Sequence, residues 1–391
     1  MLQLHDTRTG RAEPIQPARD RTLRLYACGP APDRRAHVGD LRSYLVADLI
    51  RRHAEHRLRL TAQACQDIAD AGPPGGDHAL EAERAFAADC SALNLRPADS
   101  SPRASDDVGL TIDMISSLVD AGHAYPAGGG SVCFDARSFP GYGELSGNRV
   151  DDAPTGGGAA ERKRHPADWT LWTATAPGQD PAWPAPWGTG FPARSAQCSA
   201  LSLHYLGDVI DVHAGCIDLC FPHHEHERAE SNSVTGHEVV RHWVHGADLM
   251  FDGRPMSGPD GSPLLLPDLA DRGLDPLALR LAFLQHPYRQ RMNLTWDILS
   301  DADRTLRRWR ELVADWANSA SKPMCAEVTS QIAAAFDDDL DTPAALRAVR
   351  SLEDDRQIPP GSKFETFAYT DQLLGLDLAR DIGRAPVRPA G

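Results

Sequence analysis

No run in this 391-residue chain is apolar for long enough to cross a bilayer, which takes about 20 consecutive apolar residues. Its eight cysteines, at 28, 65, 90, 133, 198, 216, 220 and 325, form no C-x-x-C pair and no dense framework. No charged and apolar leader pattern opens the chain. Reduced thiols in the cytoplasm are therefore expected, with some of them available as metal ligands. An excess of positive charge is missing too. The formal charge is −15, so no net positive field draws phosphate, and a general nucleic-acid coat is excluded while a local basic patch is not. There is no internal repeat, and the richness in Ala, Arg, Pro and Gly is not low complexity. What remains is a globular chain of two or three domains with ample core.

Strand–helix–strand order marks its first third. Leu23 to Cys28 predicts a buried strand, followed by a Gly/Pro turn and a helix carrying Val38, Leu41, Tyr44, Leu45, Leu49 and Ile50 at near-helical spacing. RLRLTAQACQDIAD predicts the next strand, and helical patterns follow around 77–95 and 108–121. That order implies a parallel α/β sheet of the Rossmann-like, nucleotide-binding kind. From Gly128 to about Arg194 the chain is rich in Gly, Pro and Trp with little periodicity, which predicts an irregular connection. Sheet-like sequence resumes at VIDVHAG and again at VVRHWVHGADLMFDG. After about Thr295 the pattern is helical almost to Leu378, with a loose tail beyond. The expected division is a first catalytic half over 1–121, a connective insertion over 122–195, a second half over 196–295 and a C-terminal helical domain over 296–391.

The densest chemistry lies in DLCFPHHEHERAES, residues 218–231, with three histidines and four acids. Pro222 suits the first position of a helix. A helix starting there puts His223 and Glu227 four apart, on one face. An imidazole and a carboxylate one turn apart are half of a zinc site. Taken alone, the segment is equally a solvated polar first turn, its acids favoured by the helix dipole. A second site candidate is the turn AHVGD, where His37 and Gly39 open a helix whose N-terminus favours phosphate.

With LYACGP, AHVGD, the long stretch QCSALSLHYLGDVIDVHAGCIDLCFPHHEHE and HWVHGADLMFDG together, the chain resembles the class I cysteinyl-tRNA synthetases and their relative, the cysteine ligase of mycothiol biosynthesis. The likeness runs from about Leu23 to Asp377. It implies a class I synthetase fold and a zinc ion that binds the thiol of substrate cysteine, with Cys28, Cys198, His223 and Glu227 as the ligands. Zinc lowers the pKa of a bound thiol and rejects serine better than a pocket does. Cys216 and Cys220 fit small residues packed near the sheet better than ligands.

The resemblance is broken on the ATP and magnesium side. Asp40 stands where the family's signature has its second histidine, a negative charge facing phosphate. Pro255-Met256-Ser257-Gly258-Pro259 aligns with Lys-Met-Ser-Lys-Ser, so both lysines are gone. Ala214 and Cys216 replace glycines of the turn that adenosine packs on, with Asp218 retained. Gln66-Asp67-Ile68-Ala69-Asp70 replaces Thr-Asp-Val-Asp-Asp, and Arg194 replaces a tryptophan of the cysteine pocket. The basic run Arg304 to Arg310 fits a solvated face balanced by acids better than a tRNA contact.

Three functions follow. The first is a biosynthetic paralogue that binds cysteine or another small thiol at zinc without ordinary adenylation. In it His37 or Asp40 acts as acid or base, and Arg194, Asp70, Asp218 and His224 bind substrate, Arg194 by pairing with a carboxylate. The second is the ancestral ligase, which uses ATP to charge tRNA or an amine with cysteine. The third is a non-catalytic protein that binds a thiol, tRNA or a partner enzyme.

Overall fold

The computed structural model describes residues 1–30, 33–73, 77–152, 163–176, 178–256 and 263–384. Strands β1 (Gln3–Asp6) and β2 (Arg11–Pro14) form an antiparallel hairpin. Strand β3 (Thr22–Ala27) then leads through the Cys28 turn into helix α1 (Val38–Arg52), and β4 (Thr61–Gln66) follows. Helix α1 forms because His37 caps it and because Val38, Leu41, Leu45 and Leu49 make one buried stripe. Helices α2 (Asp77–Ala92) and α3 (Val108–Asp120) come next.

The Gly/Pro/Trp-rich stretch is not irregular throughout. It contains β5 (Ala124–Gly128), β6 (Ser131–Phe134), β7 (Trp169–Ala174) and β8 (Gly190–Pro192), joined in that order as an antiparallel sheet. The expectation failed because these strands are short and two of the pairings are interrupted by register shifts. Buried Phe134, Trp169 and Trp172 tie this sheet to a core shared with α3.

Helix α4 (Arg194–Leu206), strand β9 (Ile210–Cys216), the single turn α5 (Ile217–Leu219), helix α6 (Glu225–Thr235) and strand β10 (Val240–Gly246) complete the central unit. The central sheet has the order β10-β9-β3-β4 and is parallel throughout. Its strands point the same way, so Cys28, Asp67 and Cys216 emerge at one edge. In such sheets that edge, at the carboxyl ends of the strands, is where ligands bind. Beyond it lie a small sheet of β11 (Leu249–Phe251), β12 (Arg254–Pro255) and β13 (Met292–Leu294), and the helices α7 (Leu266–Asp271) and α8 (Pro276–Leu284).

The C-terminal part is helical, as expected: α9 (Trp296–Trp316), α10 (Ala326–Asp337), α11 (Thr342–Asp354) and α12 (Pro360–Leu374). Helix α9 buries Leu299, Ala302, Leu306, Trp309 and Val313, a stripe at helical spacing. A buried ionic knot fastens α12 to α1 and α8. Arg280 donates to Asp48 at 2.5 Å and to the carbonyls of Leu374 and Leu93, while Arg52 donates to the same carboxylate at 2.8 Å. Burial alone raises the Asp48 pKa, but Arg280 and Arg52 outweigh it and hold the group below its ordinary value. The basic run on α9 is internally balanced: Arg304 pairs with Asp301, Arg307 with Asp303, Arg308 with Glu353 and Arg310 with Asp275. No helix of the described residues is long and apolar enough to cross a membrane.

Candidate metal centre and substrate cavity

Four donors from three elements meet at the sheet edge. Cys28 ends β3, Cys198 sits one turn into α4, and His223 and Glu227 flank the start of α6. Their ligand atoms all lie within 4.8 Å of one another. The Cys28 thiol donates to Glu227 Oε1 at 3.1 Å, His223 Nε2 is 2.8 Å from the same oxygen, and Cys198 Sγ is 3.6 Å from His223 Nε2. The edges of a tetrahedron around zinc with these ligand types measure about 3.3–3.8 Å, so small side-chain adjustments seat an ion. The donor set, two thiols, an imidazole and a carboxylate, suits a borderline-soft d¹⁰ ion.

The local path of the chain differs from the simple helix start expected at Pro222. Phe221 is extended, the segment Cys220–His224 forms a widened turn, and regular α-helix begins at Glu225. His223 and Glu227 nevertheless remain one turn apart and in contact, because the widened turn leads straight into α6. Burial shapes the charge state of the centre. It pushes the Cys28 thiol up, helped by Cys198 and Glu227, and it lifts the Glu227 carboxyl well above the usual carboxylate range. A divalent cation reverses both shifts. Buried thiols and a buried carboxyl packed this closely are costly without a shared cation or shared protons.

Behind these four stand further residues, of which the sequence reading named only His224. His213 Nε2 is 3.4 Å and His224 Nε2 is 3.7 Å from Cys28 Sγ, and Cys28, His213, His224 and Glu227 form a second set with metal-ligand spacing. His224 was expected to bind substrate. It is fully buried, and its Nδ1 is 2.7 Å from His245 Nε2, whose Nδ1 is 2.7 Å from Thr7 Oγ1. Burial and neighbouring histidines hold His213 and His224 well below the ordinary imidazole value, and burial takes His245 down to about 3. The signal for His213 was strand pairing, since β9 places it opposite Tyr26 on β3, two residues before Cys28. Asp67 is the other omission. It accepts from the Tyr26 hydroxyl, the Gly29 N–H and the Cys198 thiol. Asp70, chosen instead, is committed to Arg103 and Ser105.

Two glycines make this packing feasible. A Cβ on Gly29 would sit on the Asp67 carbonyl oxygen, and one on Gly215 would come within 2.6 Å of the His224 ring.

Next to the centre opens a cavity of about 510 Å³ whose lining includes Gly29, His37, Tyr44, Arg194, Cys216 and Asp218, a size that suits a small-molecule site. His37 Nδ1 accepts from the Asp40 backbone N–H at 3.1 Å, which places the ring proton on Nε2. That buried Nε2 has no partner among the described residues. Burial lowers the His37 pKa, though Asp40 opposes it, so the ring is a neutral donor. Asp40 is not a bare carboxylate facing the cavity. It accepts from the His37 N–H at 2.8 Å as part of a capping box and forms a two-pronged pair with Arg34 at 2.6 and 3.1 Å. Asp218 lies at the rim with Cys216 and Asp248. Burial and the Asp248 charge raise its pKa, and burial takes the Cys216 thiol to about 11. Of the segment aligned with the signature loop, Pro255 and Met256 line the cavity, while Ser257, Gly258, Pro259 and the rest to 262 lie outside the described residues.

A parallel sheet with its ligand edge at α1, a long insertion and a helical C-terminal part define the catalytic fold of the class I aminoacyl-tRNA synthetases. Two solved structures share that fold. A methionyl-tRNA synthetase from Mycobacterium tuberculosis, bound by methionyl-adenylate, superposes with a TM-score of 0.61 at 13% identity, covering 90% of each chain. The Agrobacterium radiobacter LeuRS, in a ternary complex with tRNA and LeuAMS, gives 0.65 at 10% identity over 93% of this chain and 84% of that one. Within the class, residues 14–304 match the model of the tRNA synthetases class I (C) catalytic domain, and the chain belongs to that family. It is 36% identical to the cysteine–tRNA ligase of Symbiobacterium thermophilum, over 98% of this chain and 87% of that protein. It is 37% identical to the cysteine–tRNA ligase of Paracoccus denitrificans, over 90% and 79%.

Proposed function

We propose that the protein is a zinc-dependent cysteine ligase of the cytoplasm, which binds L-cysteine by its thiol and joins the cysteine carboxyl to tRNA or another amine or hydroxyl acceptor at the expense of ATP. The observation that carries this reading is the cluster of Cys28, Cys198, His223 and Glu227 beside a cavity large enough for a small substrate. Cys28, Cys198, His223 and Glu227 would hold the zinc ion, which would supply a Lewis acid that favours the thiolate of the substrate. The protein's own residues then have separable tasks. His213 and His224 back the cluster as neutral imidazoles and leave its ionic charge to the four donors. His37 offers its buried Nε2–H to the cavity, where an oxyanion on a phosphate finds a donor fixed in advance. The two relatives bearing the name of cysteine–tRNA ligase support the same assignment.

One observation favours a second reading, a biosynthetic paralogue that handles a thiol without adenylation. The first turn of α1, where a phosphate would dock, already carries the paired Arg34 and Asp40, and Pro255 stands where the resemblance calls for a lysine. Cysteine-dependent exchange of pyrophosphate into ATP, measured on zinc-loaded protein, separates the two. Clear exchange supports the ligase. No exchange in a preparation that holds zinc and binds cysteine refutes it and leaves thiol chemistry without ATP.

A further inference from the structure

One cation at the site keeps an unused hydrogen-bond donor among the described residues. Arg194 is the first residue of α4, a helix end where the backbone dipole disfavours a cation. Its Nη2 donates to the Gly29 carbonyl oxygen at 2.6 Å, while its Nε is buried with no partner. Among the described residues it has no ion pair. Asp67, a carboxylate close enough to act on it electrostatically, is already taken by Tyr26, Gly29 and Cys198. Desolvation, the unmade Nε hydrogen bond and the helix dipole weigh against the guanidinium, while nearby Cys198, Cys28 and Asp67 outweigh the burial and keep it firmly charged, so what stays unmet is the idle donor.

Its position says what relieves that cost. Arg194 lines the cavity and lies four residues before Cys198, so both share one face of α4 about 5–6 Å apart at Cβ. Side chains on a helix lean toward its N-terminus, which tilts Cys198 toward Arg194. A ligand whose sulfur docks at the four-donor cluster therefore has its other end near the guanidinium, within the span of a molecule the size of cysteine.

We propose that Arg194 is the carboxylate-recognition residue of this site, so that the protein selects small thiols that also carry a carboxylate a few bonds from the sulfur. The assignment rests on the reading that a thiol docks at the Cys28, Cys198, His223 and Glu227 cluster. The guanidinium is planar and suits two-pronged pairing with a carboxylate, which a lysine ammonium does not reproduce. An aliphatic thiol without the carboxylate leaves Arg194 as it stands in the structure, with its Nε unmatched.

The test is calorimetric titration of zinc-loaded protein with L-cysteine and with cysteamine, which has the sulfur and the amine but no carboxylate. Wild-type protein is expected to bind cysteine roughly 10- to 100-fold more tightly, the range of a hydrogen-bonded charge pair. In Arg194→Met that preference disappears while cysteamine affinity and zinc content stay the same, and Arg194→Lys retains only part of it. Equal binding of the two thiols by wild-type protein, or an unchanged preference in Arg194→Met, overturns the assignment and leaves the cysteine-binding reading intact. Binding of neither thiol to zinc-loaded wild-type protein overturns both. The wild-type comparison decides the matter even if Arg194→Met does not fold.

Discussion

Glu227→Gln gives the sharpest test of the metal centre, because the glutamate stands at its middle. One oxygen lies 3.1 Å from the Cys28 sulfur and 2.8 Å from His223 Nε2, and the side chain is almost wholly buried. The amide keeps the shape and removes the charge. Disturbing groups that merely support a metal ligand costs about 10- to 100-fold in affinity, so loss of a ligand itself is expected to cost at least about 100-fold. By mass action this removes about 2.7 kcal/mol of stability from the zinc-loaded protein. The sign reverses without metal. Burial raises the Glu227 pKa, so its folded form prefers the neutral acid. The stability attached to that preference is complete below the unfolded carboxylate pKa and is lost as pH rises through the folded one. At neutral pH the metal-free Glu227→Gln protein should therefore match or exceed metal-free wild type. The same elevated pKa values of Cys28 and Glu227 make zinc uptake release protons. Chelator competition at several pH values is the assay, with melting curves of both forms beside it. Equal zinc affinity in the two proteins, or an affinity independent of pH, refutes the assignment of these ligands.

Other perturbations follow from the same structure. Gly215→Ala forces its methyl against His224, 2.6 Å away in the present packing, and should weaken zinc binding about 10- to 100-fold by the same competition assay, with little change in secondary structure by circular dichroism. Asp48→Asn leaves Arg280 and Arg52 without their shared carboxylate and should cost about 3–5 kcal/mol in urea unfolding at pH 7. Because Asp48 is depressed in the fold, its contribution is present above the unfolded carboxylate pKa and is lost as pH falls through the folded one, so the deficit should shrink in strong acid. Asp40→Ala removes one side of the capping box on α1 and should cost about 1 kcal/mol in the same urea experiment.

Several features of the site were open to inspection in the letters alone, for identifiable reasons. His223 and Glu227 are four apart, and a spacing of four survives even though regular helix starts at Glu225 rather than at Pro222, because the intervening turn still closes on itself. The parallel sheet was legible because β3, β4, β9 and β10 are buried, strand-length runs in a strand–helix order. The sheet within the insertion was not, since Gly, Pro and register shifts interrupt its alternation. His213 escaped because its meeting with Cys28 depends on which strand β9 pairs with, a fact no local window contains. The surroundings of Asp40 were hidden for a related reason. As a letter it is a negative charge at a phosphate-binding turn, but the fold gives that charge to Arg34 and to the helix cap.

The two halves of the site differ in how tightly the fold constrains them. Cys28, Cys198 and Glu227 are buried at the sheet edge and share partners with Asp67, His213 and His224. A change at any one of them disturbs the partners of the others, and its effect on stability depends on whether the shared cation is bound. The rim around Asp40 and Asp218 is different. Asp218 and Pro255 are exposed, Asp40 is partly so, and Arg34 is 43% exposed. Asp40 there holds the cap of α1 and pairs with Arg34, while at an exposed position such as Pro255 most substitutions cost less than about 0.5 kcal/mol. The departures from the synthetase resemblance at Asp40 and Pro255 fall on this rim. Arg194 is the informative exception, since it departs from the resemblance inside the cavity, with a buried Nε that no group of the described residues matches. A donor that the fold leaves idle inside a cavity is open to a ligand, and this is why the carboxylate test on Arg194 says more about the substrate than the metal cluster does.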